Sequence, residues 1–216
     1  MKREEIILIA KKDEDFSKKD LKGINLSGID LVGVSFRGAN LRNANLSSAN
    51  FSLCNFEDAD LTDAKLDSSN FTGANFSRAN LERVDFNFSI LTMANFNEAS
   101  LKNANFLNSK LTGANFEKAN LTEANLQMTD SSMAIFIEAF LMNSNLKQAS
   151  FIGANFTGAS ITGCSFYMSD LSAATFKDAI LTGCEIFACV LMATDFRDAK
   201  ISETIFNKNS EIRVKR

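Results

Sequence analysis

The chain has 216 residues, 45% of them hydrophobic, with no proline, tryptophan or histidine, ten glycines, four cysteines, one tyrosine and a formal charge of −3. Without histidine, and with Tyr167 as its one phenol, it lacks the residue types from which most acid-base and nucleophile constellations are built, so the composition argues against an enzyme. Acidic net charge with dispersed basic residues argues against direct nucleic-acid binding, and no apolar run approaches the about 20 residues of a membrane span.

At the N-terminus, Met1-Lys2-Arg3-Glu4-Glu5 leads into a short apolar stretch, Ile6 to Ala10. It is too brief and too acidic in its flank for a signal peptide, and a cytoplasmic protein is expected. Ile6, Ile9 and Ala10 fall at helical spacing, so residues 1–13 read as a short helical cap that lids the first coil of a repeat domain.

From Phe16 to Phe206 every fifth residue is Leu, Phe or Ile, with Ser131 the one exception. A fixed short period marks a repeat architecture. Two residues before each of these central positions the side chain is small (Ala39, Ala44, Cys54, Ala59), as a tight interior demands. Just before the centre stands mostly Asn or Asp (Asn40, Asn45, Asn50, Asp60), whose short side chains bond the backbone two residues on. All ten glycines, Gly113 and Gly153 among them, lie two residues after a centre, which places a turn with positive φ in each pentapeptide.

Every fourth centre from Phe16 to Phe196 is Phe, and the column from Leu21 to Ile201 contains none. Residues n and n+20 therefore stack, and one coil is four pentapeptides with four walls, named here after Phe16, Leu21, Leu26 and Leu31. Residues 14–208 read as one solenoid of about ten coils, a rod of roughly 45 to 50 Å at the usual strand spacing. Absence of proline suits a backbone whose donors are used in ladders between coils.

Cys54, Cys164, Cys184 and Cys189 all occupy the small inward position. Cys164 and Cys184 fall in adjacent coils, but parallel inward side chains in a reducing compartment favour free buried thiols. Neither a metal site nor any other cofactor is expected, since Cys184 and Cys189 lie on two different walls and histidine is missing. At Ser131 the core loses a large side chain, and Met133 is the candidate to swing in and fill it. Beyond residue 208, Ile212 and Val214 alternate with Arg213 and Lys215; this tail, 209–216, reads as a half-buried strand that caps its own coil or pairs across a dimer.

Segments such as Ala39-Asn40-Leu41-Arg42-Asn43 and Ala74-Asn75-Phe76-Ser77-Arg78 resemble the pentapeptide-repeat family, and the resemblance runs over roughly residues 14 to 208. It implies an all-β fold, a right-handed quadrilateral β-helix. The chain resembles more weakly the quinolone-resistance branch, whose members imitate duplex DNA, occupy the DNA site of DNA gyrase or topoisomerase IV and dimerise at the C-terminal end. That likeness makes Ile212 and Val214 the candidate homodimer contact.

Of the charged residues, the Phe16 wall carries 16 and the Leu21 wall 12, against 6 on the Leu26 wall and 4 on the Leu31 wall. Large apolar residues at outward positions lean the other way. On the Leu26 wall they include Phe88, Leu107, Met128, Tyr167, Met168 and Phe187; on the Leu31 wall, Ile90, Met93, Met133, Ile152 and Met192. An apolar stripe rimmed by polar residues marks an interaction surface, so these eleven are the candidate face for a protein partner or for self-association. DNA mimicry is the competing reading, yet the four walls sum only to −4, 0, 0 and −2, a weak imitation of one negative charge per roughly 1.7 Å of duplex axis. The chain also lacks the projecting loops of several resistance members. A structural scaffold or effector role is the third reading.

Overall fold

The computed structural model describes residues 15–208. The helical cap expected over 1–13 and the tail at 209–216, with Ile212 and Val214, lie outside the described residues. Within them the chain is an all-β solenoid without a helix. Parallel bridges join each wall to the same wall twenty residues on, from Asp20↔Asn40 and Asn25↔Asn45 to Thr175↔Asp195. Toward the C-terminal end the bridges lengthen into strands β1 (Phe140–Met142), β2 (Ser160–Thr162), β3 (Ile180–Thr182), β4 (Glu185–Phe187), β5 (Lys200–Ser202) and β6 (Ile205–Asn207). These form two parallel sheets, β1-β2-β3-β5 on the Leu21 wall and β4-β6 on the Leu26 wall.

Each pentapeptide solves the same backbone problem. In the unit around Leu41, the Leu41 amide donates to Asp60 O and the Asn43 amide to Thr62 O, both in the next coil, while the Asn40 amide donates back to Lys19 O. The Ala44 amide closes a turn on Leu41 O at 3.0 Å. The asparagine before the centre adds the bond expected of it: Asn45 Oδ1 accepts the Ser47 amide at 3.1 Å, and Asn55 Oδ1 the Glu57 amide at 3.0 Å. The third turn residue has positive φ in every unit from Lys18 to Lys208, between 52° and 72°. Glycine is thus one solution at this position and not a requirement.

The central residues fill the interior. Phe36 stacks on Phe16 and Phe56 with ring centroids 5.3 and 5.1 Å apart, and Phe96 on Phe76 and Phe116 at 5.1 and 4.9 Å. Phenylalanines of the Leu26 wall meet this stack edge-on, as Phe86 and Phe106 do at 5.8 and 6.0 Å from Phe96. All four cysteines are buried, and burial pushes Cys54 and Cys164 up to about 12 and Cys189 up to about 11. Where the small inward residue carries a donor, it bonds the carbonyl of a central residue one coil back, with Thr129 and Ser109 as the exceptions. Ser69 Oγ reaches Leu46 O at 2.8 Å, Ser169 Oγ reaches Leu146 O at 2.7 Å and Cys189 Sγ reaches Phe166 O at 2.8 Å.

Ser131 corrects one expectation. Met133 does not fill the place of the missing large residue; it is 65% exposed. The reason is its backbone. As the third turn residue, at φ 59°, it points away from the interior like every other residue of its column.

Candidate functional site

The four walls differ on the outside as their charge counts imply. On the Phe16 wall Arg37 and Arg78, two coils apart, bracket Glu57 and Asp58. Arg37 Nε lies 3.3 Å from Glu57 Oε2, Arg78 Nε lies 2.8 Å from Asp58 Oδ1, and Arg78 also pairs with Glu57. On the Leu21 wall Arg83 Nε meets Asp63 Oδ1 at 2.6 Å and Arg42 Nη1 meets Asp60 Oδ2 at 3.1 Å. The Arg78 hydrogen bond holds the Asp58 carboxyl below the usual carboxylate range, and the Arg83 hydrogen bond does the same for Asp63. Between residues 37 and 83 these walls therefore present locally neutralised charge, which weakens the uncompensated field that an imitation of DNA requires.

On the Leu26 and Leu31 walls the structure places the apolar residues in columns. Phe88, Met128 and Met168 are third turn residues of the Leu26 wall, at φ 58°, 58° and 59°. Asn108 and Gln148 stand between them in the same column, so large apolar groups recur every second coil. Met93 and Met133 hold the same turn position on the Leu31 wall, at φ 58° and 59°. That column also alternates, running Leu53, Gly73, Met93, Gly113, Met133, Gly153. Each large side chain lies over the glycine of the following coil: a Cβ built on Gly113 would meet Met93 Sδ at 2.6 Å, and one on Gly153 would meet Met133 Sδ at 2.7 Å. Sequence reasoning misses this pairing, although its signal, a glycine twenty residues after each apolar rung, is present in the chain.

Of the remaining expected face residues, Ile90, Ile152 and Met192 are exposed and Leu107, Tyr167 and Phe187 half-buried. Tyr167 and Phe187 stack at 5.7 Å, and Lys208 Nζ stands 5.5 Å from the Phe187 ring centre. Phe88 and Ile90 flank one corner of the coil around the inward Ser89. Five of the eleven thus form two columns of rungs along the two sparse walls, while Ile90, Leu107, Ile152, Tyr167, Phe187 and Met192 stand at other positions of the same walls. Sequence reasoning also passes over the end of the rod. Ile201 and Phe206, the last described members of inward columns, are 42% and 39% exposed.

Among the described residues no group of His, Cys, Asp and Glu is arranged to hold a metal ion, and no helix is long and apolar enough to cross a membrane.

A comparison with curated proteins gives no match. The chain is similar in fold to HetL, a pentapeptide repeat protein involved in heterocyst differentiation regulation from the cyanobacterium Nostoc sp. strain PCC 7120, with a TM-score of 0.78 and 23% identity over 97% of this chain and 94% of that one. It is similar also to full-length QnrB1, a plasmid-mediated fluoroquinolone resistance protein, with a TM-score of 0.73 and 24% identity over 84% of this chain and 92% of that one. At these identities the likeness is one of fold. Family models match most of the length: pentapeptide repeats, in eight copies, over residues 20–58 and 134–166, and a pentapeptide repeat region over 60–130. With the coil geometry and these matches in agreement, the chain belongs to the pentapeptide-repeat family.

Proposed function

We propose that the chain acts by binding and not by catalysis, as a rod that offers the Leu26 and Leu31 walls to a protein partner or a second copy of itself. One observation carries this reading. Phe88, Met93, Met128, Met133 and Met168 hold φ of 58° to 59° while 44% to 67% exposed. A side chain in the left-handed region costs about 1 kcal/mol relative to glycine, and glycine serves the same turn position ten times elsewhere in the chain. A bulky apolar group that keeps 44% to 67% of its surface in water contributes only part of its area to packing on the next coil, and the rest is available to a partner. On each column the rungs recur every second coil, about 9.5 Å apart at ordinary strand spacing, a rigid ruler for an extended partner.

Replacing Phe88, Met128 and Met168 together by glycine tests this reading. The expected result is an unchanged or raised melting temperature with loss of the proteins that the native chain retains from host extract, and loss of any self-association seen by light scattering. Retention of every bound protein and of oligomeric state by the triple variant would overturn it.

A second reading, fluoroquinolone protection through DNA gyrase, is supported by the likeness of shape to QnrB1. The pairing of Arg37 and Arg78 with Glu57 and Asp58 weighs against it. Gyrase supercoiling that is neither inhibited by the protein nor rescued from the drug would remove it.

A further inference from the structure

Ser131 stands in an inward column between Leu111 and Phe151, and it is fully buried. Its side chain is smaller than either by several carbon atoms, yet the coils do not close over the difference. Leu111 N still donates to Asp130 O at 2.7 Å, Ser131 N to Ser150 O at 2.8 Å and Met133 N to Ile152 O at 2.8 Å, the spacing of the regular ladder. Met133 is turned outward with its sulfur over Gly153. Within the same unit only the Thr129 hydroxyl turns toward Ser131, and it does not replace the missing carbons.

The neighbouring hydroxyls respond to that space. In the column Ser69, Ser89, Ser109, Thr129, Ala149, Ser169, the serines away from Ser131 make the bond to a carbonyl one coil back: Ser69 to Leu46 O, Ser89 to Leu66 O and Ser169 to Leu146 O. Thr129 instead bonds Leu126 O at 2.9 Å within its own turn and meets Ser131 Oγ at 3.0 Å. Ser109, one coil below Thr129 and 1% exposed, departs too, and its Oγ has no hydrogen-bond partner. A buried hydroxyl left unpaired is destabilising because it forfeits the bond it makes to water in the unfolded chain, and polar internal cavities of adequate size hold water that makes two to four bonds.

We propose that Ser109, Thr129 and Ser131 line an internal binding site, roofed by Phe151 and floored by Leu111, that takes a small neutral hydrogen-bonding molecule, water. Ser109 Oγ donates to it, and the Thr129 and Ser131 hydroxyls supply the remaining contacts. The site is an exception in a core otherwise filled by Leu, Phe and Ile, because the paired Thr129 and Ser131 hydroxyls stand one coil above an unpaired Ser109 where a lone serine would leave only an apolar void.

Oxygen-17 relaxation dispersion on the full chain counts long-lived internal water without interference from exchanging hydroxyl protons. The expected result is a signal in the native protein that falls by at least one water in Ser131→Leu, whose side chain restores the repeat. A crystal structure of the native chain should show water density about 3 Å from Ser109 Oγ, a readout that does not depend on the folding of any variant. An unchanged dispersion amplitude in folded Ser131→Leu, native density without that water, or xenon bound at the site under pressure, the mark of a dry cavity, would each overturn the proposal.

Discussion

Met93 lies so closely over Gly113 that a Cβ built on the glycine would stand 2.6 Å from the methionine sulfur. Since serine, asparagine, aspartate and even phenylalanine take the same positive φ elsewhere, the glycine is needed less for its backbone than for the room it gives its neighbour. Gly113→Ala should therefore lower stability by about 1 to 2 kcal/mol, from left-handed strain together with displacement of Met93. Gly23→Ala, where nothing lies within 4 Å of the added Cβ, should cost only the strain. In a Met93→Ala background the two glycine substitutions should converge. Urea midpoints of the four variants check this, and equal costs in the native background would refute the packing role.

The inward phenylalanine column makes a second prediction. Phe96 is fully buried, stacked on Phe76 and Phe116 and touched edge-on by Phe86 and Phe106. Phe96→Ala removes four ring contacts and leaves a cavity whose walls are held by backbone ladders, so it should cost about 3 to 5 kcal/mol. Because coils interact only with their neighbours, amide exchange should accelerate most around residues 76 to 116. A uniform acceleration along the whole rod would show that the solenoid opens as one unit.

Column sorting makes this core legible in the sequence: like side chains recur at twenty because they fill like space, and Phe16 over Phe36 at 5.3 Å is that rule in coordinates. Glycine points to the turn but understates it, since the turn conformation extends to Lys18, Phe88 and Met128 as well. Met133 carries two readings in the sequence, an outward residue by position and a filler beside Ser131, and its backbone at φ 59° with its exposure decides for the first. Ser109 gives no sign in the sequence, being one small inward residue among many; only the absence of its hydrogen bond sets it apart. The outward apolar residues are identifiable by position, but their arrangement as rungs every second coil depends on which column each occupies.

The polar column on the Leu26 wall carries a directed ladder. Asn145 Nδ2 donates to Asn125 Oδ1 at 3.1 Å, Asn125 to Asn105 at 3.0 Å and Asn105 to Asp85 at 3.0 Å. Each asparagine must both give and accept, whereas the last member need only accept, and there stands an aspartate. Asn125→Asp should thus be destabilising by about 1 kcal/mol at neutral pH, because the carboxylate cannot donate to Asn105 and faces its oxygen. The new carboxyl would have its folded pKa raised, so the deficit should shrink as pH falls through about 4 and the group regains a proton. Asp85→Asn, at the accepting end, should be nearly neutral. Chemical denaturation at pH 7 and at pH 4 distinguishes the two, and a deficit in Asn125→Asp that is the same at both pH values would contradict the ladder.

The buried thiols set the alkaline limit of the fold. Burial disfavours the thiolate, raising Cys54 and Cys164 from an ordinary 9.0 to about 12 and Cys189 to about 11. At neutral pH all three are protonated, and because the thiolate is the reactive species, the native protein should resist alkylation until it unfolds. A group whose folded pKa is raised binds its proton more tightly in the native state, so the contribution to stability is complete below pH 9. It declines as pH rises from about 9 toward 12. Replacing Cys54 by alanine, the residue most common at that inward position, should remove its share of the alkaline decline. It also forfeits the Sγ bond to Leu31 O at 2.7 Å, a small constant loss that does not vary with pH. Denaturation midpoints of the native chain and Cys54→Ala at pH 7 and pH 10 test this: the gap between them should narrow at pH 10, and a gap that stays constant would mean that the thiol titrates no differently in the folded and unfolded chain.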